Sequence, residues 1–279
     1  MRRSADAIDV RQRLVERLLP RAGKLALSYF RSPGLQVDLK SVQDSVTAAD
    51  FQVEKLLSSK LRGAFPSDGF WGEEGGQSGN LAGDNFVWVV DPIDGTNNFA
   101  RGIPHWCISV ALVRGDRVEL GCIHDPVNRE TFLARRGAGA WLNGKRIAAS
   151  EVRELGRARV NVGFSYRRPP SIHLRAIDLL LARNCEYSRM ASGALGMAWT
   201  ACGRFDAYWE PHINSWDVLA GLAIAREAGC WVSDFFADSG FLEGNSILAA
   251  APGIATDLRE LLEPLNQESR LWTKAAKTV

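Results

Sequence analysis

Histidine is scarce in this sequence, and its four copies, His105, His124, His173 and His212, stand far apart. No H-E-x-x-H pair exists, so the usual zinc-peptidase signature is missing. Single histidines are more often packed or solvated than catalytic, and a structural role is expected for each. Cysteine is also thin. Cys107, Cys122, Cys185, Cys202 and Cys230 are odd in number, scattered, and form no C-x-x-C. That argues against a disulfide framework and against a zinc site. Such thiols read as small core residues of a reducing, hence cytoplasmic, compartment. No apolar run approaches the roughly 20 residues that a membrane span needs. No apolar segment follows Met1-Arg2-Arg3, so a secretory leader is not expected. The net charge is only +2 over 279 residues, too little for a nucleic-acid footprint. Walker A and G-x-S-x-G motifs are absent, and Gly137-Ala138-Gly139 does not complete a G-x-G-x-x-G.

What is present is an ordinary globular composition, 46% hydrophobic and 24% charged. The length allows one large domain or two tightly joined ones. Helical spacing runs from Ser4 to Phe30, with Pro20 expected to kink or split it. Leu35–Leu39 alternates like a strand, and a helix opens at Thr47-Ala48-Ala49-Asp50. Ser67–Asn85 is polar and Gly-rich and reads as a loop carrying Glu73 and Glu74. Strands are expected at 86–90, 107–113, 117–124, 131–134, 140–142, 231–233 and 246–250. Helices are expected at 174–182, 194–201, 216–228 and 254–265. Strands and helices alternate, which argues for a layered α/β fold. A soft boundary near Ala149–Leu155 divides residues 1–150 from 151–279, two parts expected to pack as one unit. The nine tryptophans read as core or interface, with Trp106 a possible exception beside the substrate.

The chemistry concentrates at Asp91-Pro92-Ile93-Asp94-Gly95-Thr96. Two carboxylates three residues apart follow a buried strand. Proline removes a donor and glycine permits a tight turn. A rigid elbow would aim both acids and the Ile93 carbonyl at one point, as hard divalent cations require. An exposed acidic turn would look the same, since Asp-Pro and Asp-Gly are common turn signals. Gly72-Glu73-Glu74-Gly75-Gly76 reads equally as solvated loop charge, Asp44 and Thr47 as caps, and Asp217 as a stabilising acid at a helix N-terminus. A nucleophilic aspartate in the elbow is a further alternative.

Taken together and in order, these segments resemble the inositol monophosphatase family, within the lithium-sensitive, Mg²⁺-dependent phosphatase superfamily. The resemblance rests on 40–50 (KSVQDSVTAAD), Gly72-Glu73-Glu74, 88–99 (WVVDPIDGTNNF) and Trp216-Asp217-Val218-Leu219-Ala220-Gly221. It implies an αβαβα five-layer sandwich and a phosphoric monoester hydrolase using two or three Mg²⁺ ions. By the resemblance, Glu73, Asp91 and the Ile93 carbonyl hold one metal, and Asp91, Asp94 and Asp217 another. Asp50 and Thr96, with Glu73 close by, position the attacking water, with no covalent intermediate. Lys40 lies near the mouth, and Gly95 and Thr96 present N–H groups to phosphate. Ala191, Ser192, Gly193, Ala194 and Glu210, with Asp94 and Asp217, meet the leaving group.

The same resemblance implies a homodimer acting on myo-inositol monophosphate or a related sugar or polyol phosphate. A carboxylate at 210 also suits an ammonium, which keeps histidinol phosphate as an alternative. Some members are RNA-polymerase- or ribosome-associated regulators, a second class of role. Gly193 and Gly196 depart from the alanine and asparagine usual in the inositol enzymes, and Phe235–Ser239 lacks the usual glycine-rich turn. These departures bear on the substrate rather than on the metal chemistry.

Overall fold

Val87 to Asp94 is an unbroken buried run, and it forms most of the strand Phe86–Asp94. Both faces of this strand are covered, so its sequence is continuously apolar from Phe86 to Val90 rather than alternating. The protein, described here by a computed structural model, covers residues 6–32, 35, 37–41, 44–79 and 83–276; for 39–41, 44, 45 and 273–276 only the backbone is described.

The strand lies inside an eight-stranded sheet. The order is Lys145–Arg146, Gly139–Leu142, Glu130–Arg135, Arg117–Asp125, Cys107–Arg114, Phe86–Asp94, Gly69–Gly72, Gly76–Ser78. Every neighbouring pair is antiparallel except Gly69–Gly72 with Phe86–Asp94. A second sheet has five strands: Glu186–Ser188, Arg159–Val162, Ala207–Ile213, Asn245–Ala250 and Trp231–Val232. Its first three strands are mutually parallel, and the last two add antiparallel. The strand pair Val37–Ser41 and Asp44–Thr47 stands apart from both sheets.

Helices fill the remaining layers. Ala7–Tyr29 and Ala48–Ala64 bring Val15, Leu19, Val53 and Leu57 onto Trp88 and Val90 of the first sheet. The opposite face, with Val87 and Val89, meets Gly193–Ala201 and Ser215–Glu227, which also pack on Tyr208, Ile247 and Ala249 of the second sheet. A helix buried between two sheets must be apolar nearly all round, and Ser215–Glu227 is buried continuously from Val218 to Ala225. Pro170–Leu181 and Ala255–Ala276 cover the outer face through Val160, Trp209 and Leu248. The result is the expected α/β sandwich of five layers. Each large side chain buried in these cores, such as Trp88 or Leu57, contributes about 1.5–3 kcal/mol relative to exposure.

Several local expectations are corrected. The helix Ala7–Tyr29 runs unbroken through Pro20. Pro20 is exposed, so the lost hydrogen bond falls on the solvent face, where water replaces it. For the same reason Ala255–Ala276 passes through exposed Pro264 and is longer than expected. The 67–85 loop contains the strands Gly69–Gly72 and Gly76–Ser78, drawn in by buried Phe70 and Trp71. The strands Arg159–Val162, Glu186–Ser188 and Ala207–Ile213 were not anticipated. Trp106 is fully buried against Phe30 and Phe99, and it does not line the cleft described below.

Candidate active site

The acidic elbow is a β-bulge. Asp91 and Asp94 pair with Ser109 and Cys107, so three steps on one strand oppose two on its partner. A bulge re-aims side chains, and it is one of the few interior sheet positions that tolerates proline. Pro92 occupies it. The Ile93 N–H donates to Asp91 Oδ1 at 2.8 Å and locks the bend.

The parallel strand delivers the next acid. Gly72 pairs with Val90, and the Glu73 N–H donates to Val90 O at 3.1 Å, which sets Glu73 beside Asp91. Glu54 holds the turn that follows. Its carboxylate accepts from the N–H groups of Glu74 at 2.9 Å and Gly75 at 2.6 Å. A Cβ at Gly72 would stand 2.4 Å from the Glu54 carboxyl carbon, so glycine there keeps this clamp possible. Sequence reasoning missed Glu54. The available signal was its i+4 spacing from Asp50 on one helix.

Asp217 comes from the middle layer, in the first turn of Ser215–Glu227. Its Oδ2 accepts from the Asn214 N–H at 3.2 Å, so it caps the helix while facing the other acids. Ser109 Oγ donates to Trp216 O at 3.0 Å and fixes the helix start to the first sheet. Glu73, Asp91 and Asp217 thereby offer carboxylate oxygens within 4.8 Å of one another. Burial first, then Glu73, Asp94, Asp217 and Asp50, push the Asp91 carboxyl well above its ordinary range. Burial, then Glu73, Asp94 and Glu210, do the same to Asp217. Such a group of acids fits a hard cation, whose charge would relieve the repulsion.

Asp94 is turned elsewhere. It accepts from Ser192 Oγ at 2.5 Å, Ala194 N at 2.7 Å and Gly193 N at 3.2 Å. Burial raises its carboxyl, and these bonds pull it back. Asn98 Nδ2 adds a tie, donating to Met190 O at 2.9 Å and His105 O at 2.8 Å. The bulge is thus bolted to the segment 190–194.

Asp50 lies behind the cleft wall. Its Oδ2 accepts from the N–H of Thr47 at 2.8 Å and its hydroxyl at 2.6 Å, completing a capping box. The Thr96 hydroxyl sits 2.9 Å from Ile93 O and 3.3 Å from Asp50 Oδ1, so its one proton has two competing acceptors. The backbone of Lys40 lies in Val37–Ser41, and that of Asp44 in the following strand; both side chains lie outside the described residues.

A cleft of about 540 Å³ gathers Glu73, Asp91, Ile93, Asp94, Gly95, Thr96, Ala191, Ser192, Gly193, Glu210 and Asp217. Ala194 is buried beneath it. Glu210 stands on Ala207–Ile213, where Tyr208, Glu210 and His212 share the cleft face and Ala207 and Trp209 enter the outer core. The Tyr208 hydroxyl donates to Glu210 Oε2. Burial pushes Glu210 up to about 7; Asp94 adds to this, while the Tyr208 bond, Arg189 and Arg167 oppose it. Glycines make room for the pair. A Cβ at Gly163 would meet Glu210 Oε2 at 2.1 Å, and one at Gly196 would meet the Tyr208 ring at 2.6 Å. The glycine at 196 that departs from the inositol enzymes has this physical reason. Asn161, Phe164, Tyr166, Arg167, Arg189, Tyr208 and His212 also line the cleft and were missed. They sit on or after the strands that the sequence did not reveal.

The inositol monophosphatase family profile matches residues 9–270. The Nus factor SuhB of Xylella fastidiosa is 43% identical over 217 residues, covering 77% of this chain and 78% of that protein. The inositol-1-monophosphatase of Rhizobium meliloti is 37% identical over 246 residues, covering 87% and 92%. Among solved structures, the extragenic suppressor protein suhB from Bartonella henselae superposes with a TM-score of 0.83 at 31% identity, covering 91% of this chain and 98% of its own. The Thermotoga maritima IMPase gives 0.80 at 30%, covering 93% and 99%. The fold, the ordered acids and the near full-length match agree, and the chain belongs to the inositol monophosphatase family.

Proposed function

We propose that the protein is a Mg²⁺-dependent phosphatase that hydrolyses a small sugar or polyol phosphate, myo-inositol monophosphate being the first candidate. One observation carries the reading: Glu73, Asp91 and Asp217 converge within 4.8 Å at the base of an open cleft. Glu73, Asp91 with the Ile93 carbonyl, and Asp217 would hold the metal; Asp94, whose carboxylate residues 192–194 engage, would reach a second one only by sharing an oxygen with those donors. When bound, Mg²⁺ supplies an acidified water and neutralises charge on the phosphoryl oxygens.

The chain's own groups supply the rest. The Thr96 hydroxyl donates its hydrogen bond to Ile93 O or Asp50 Oδ1, which leaves its lone pairs to accept one from an attacking water. As the water attacks, its proton would pass to Thr96 Oγ while the hydroxyl proton passes to the buried Asp50 carboxylate. Backbone N–H groups of Gly95 and Thr96 open the short helix Thr96–Ala100 toward the cleft, where the phosphate would lie. Asp94 is held by residues 192–194 at the leaving-group side. Glu210, about half protonated at pH 7, suits a hydroxyl and also an ammonium, so histidinol phosphate belongs in the test. The reading places the enzyme in the cytoplasm as a homodimer. Among the described residues, no helix is long and apolar enough to cross a membrane.

The test is phosphate release with Mg²⁺ from inositol 1-phosphate, histidinol phosphate, fructose 1,6-bisphosphate and a 3′,5′-bisphosphonucleotide. No release from any of them would overturn the reading. Relatives named Nus factor SuhB favour a second role in transcription. Binding to RNA or RNA polymerase that weakens with salt would support it; no binding at low salt would remove it.

A further inference from the structure

The segment 234–244 contains the Phe235–Ser239 stretch that departs from the inositol enzymes. It joins Trp231–Val232 to Asn245–Ala250 as a strap folded back onto the start of the helix Ser215–Glu227. Two successive residues of the strap, Asp238 at φ 52° and Ser239 at φ 65°, are left-handed without being glycine. A Cβ makes that conformation unfavourable, so contacts elsewhere must hold it. Ser215 Oγ donates to Phe241 O at 2.5 Å, His212 Nε2 to Glu243 O at 2.9 Å, and Asn245 Nδ2 to Ala237 O at 2.9 Å. The strap so held turns Phe241 inward, while its neighbour Leu242 stays 60% exposed.

The Phe241 ring meets Trp71 edge-on, with 5.0 Å between centres and 82° between planes, and Phe236 stacks on Phe241 at 6.0 Å. Trp71 in turn meets Trp216 at 5.6 Å and 76°. Edge-to-face contacts of this kind fix an orientation as well as burying area. Trp216 Nε1 is buried and has no hydrogen-bond partner among the described residues, so ring contacts rather than polar bonds orient its indole.

These rings stand next to the acids in the chain. Trp71 precedes Glu73 by two residues, and Trp216 precedes Asp217 by one. None of the three rings lines the cleft, so they reach its chemistry only through those acids. The strand leading to Glu73 is thereby fixed against the helix carrying Asp217, and Phe241 closes the junction from outside. Cations differ in what they ask of such acids. Mg²⁺ takes oxygens at about 2.0–2.1 Å in a near-ideal octahedron, whereas Ca²⁺ accepts about 2.3–2.6 Å in a flexible shell. A rigid spacing of Glu73 and Asp217 favours the smaller ion.

We propose that Phe241, Trp71 and Trp216 form a clasp that positions Glu73 and Asp217 for a small divalent cation, and that this clasp sets a preference for Mg²⁺ over Ca²⁺. The three are positioning residues. The proposal rests on the metal-dependent reading of the cleft and deepens it.

The test is calorimetric titration of the metal-free protein with Mg²⁺ and, separately, with Ca²⁺, in the absence of any ester. The proteins are the native chain, F241A, F241Y and L242A. Phe241 is only half-buried, so F241A should fold, and its melting temperature checks this. If it melts below the assay temperature, F241L takes its place, removing the ring while keeping apolar bulk. Loss of the ring should weaken Mg²⁺ binding by at least about 10-fold, the scale on which outer partners of metal ligands act. Ca²⁺ binding should weaken by less than about 3-fold, because its shell adapts. F241Y keeps the ring and should restore the native ratio. L242A, beside it on the same strap, should bind both ions as the native chain does. Equal losses for the two ions mean general loosening and overturn the proposal, as does unchanged Mg²⁺ binding in F241A. A native chain that takes up no Mg²⁺ overturns it together with the metal-dependent reading. A ratio lost in F241A, with no ester hydrolysed by the native protein, keeps the clasp and removes the phosphatase.

Discussion

The carboxylate of Glu54 fills the space in which a Cβ on Gly75 would stand, with its Oε1 at 2.4 Å. The same oxygen accepts from the Gly75 N–H at 2.6 Å. Glycine is needed there for the close approach of a side chain, not for a left-handed backbone. Gly75→Ala should therefore cost about 1–3 kcal/mol of stability and raise the Mg²⁺ concentration for half-activity. In a Glu54→Ala background the added cost should nearly vanish, a coupling of about 1–3 kcal/mol. Urea denaturation of the four proteins measures it. Equal costs in both backgrounds would mean that Glu54 does not hold the turn.

Asp91→Asn should change sign with the metal. At pH 8 in EDTA the amide replaces a buried carboxylate crowded by Glu73, Asp94 and Asp217, so the variant should melt higher than the native protein. With Mg²⁺ present the order should reverse. Activity should fall by at least about 100-fold, since even outer partners of metal ligands matter on that scale. Melting curves with and without Mg²⁺ are the check, and activity at unchanged Mg²⁺ dependence would remove the ligand assignment.

Glu210 sets a pH dependence of stability. Its carboxyl titrates near 7 in the folded chain against 4.5 ordinarily, because burial disfavours its charge. The folded state thus holds the proton more tightly. The resulting stability is complete below about pH 4.5 and is lost as pH rises through 7. Native protein in EDTA should lose about 3 kcal/mol across that window relative to Glu210→Gln. Parallel curves for the two proteins would contradict the assignment.

Arg11 and Asp68 form a buried two-pronged pair, Nε to Oδ2 at 2.8 Å and a terminal nitrogen to Oδ1 at 2.5 Å. Trp88 Nε1 adds a bond at 3.0 Å, and the guanidinium lies 4.3 Å from the ring centres of Phe65 and Phe86. Arg11→Ala should cost about 3–5 kcal/mol, because a buried carboxylate is left uncompensated. Combining Arg11→Met with Asp68→Asn should recover most of it, since the amide oxygen introduced at position 68 still accepts from Trp88. Chemical denaturation decides.

How much of this was legible in sequence follows burial and locality. The run 86–90 announced a central strand, because apolar residues without alternation mean cover on both faces. The acids were visible as types and spacings, yet their convergence was not. Asp217 reaches Asp91 only through the packing of a middle-layer helix. Glu73 reaches it through a four-residue parallel strand hidden inside a glycine-rich segment. The missed strands 159–162 and 186–188 are short, and 207–213 is interrupted by Pro211 at a bulge between Glu210 and Ile213. With them went Tyr208, Arg167 and Arg189. The split expected at Pro20 did not occur because breaking power depends on which helix face the ring occupies, and solvent forgives it.

Asp91 stands on a strand of the first sheet, and Asp217 on a helix wedged between both sheets. A cation gripped by the two would bind only when those layers are docked. By mass action its occupancy would then add to the work of unfolding, about 2.7 kcal/mol at a hundredfold excess over Kd. Chelators would act on the molecule as mild denaturants, and protease resistance would report site occupancy without any substrate. The lifetime of the fold would follow the free divalent-ion level around it as well as its own sequence.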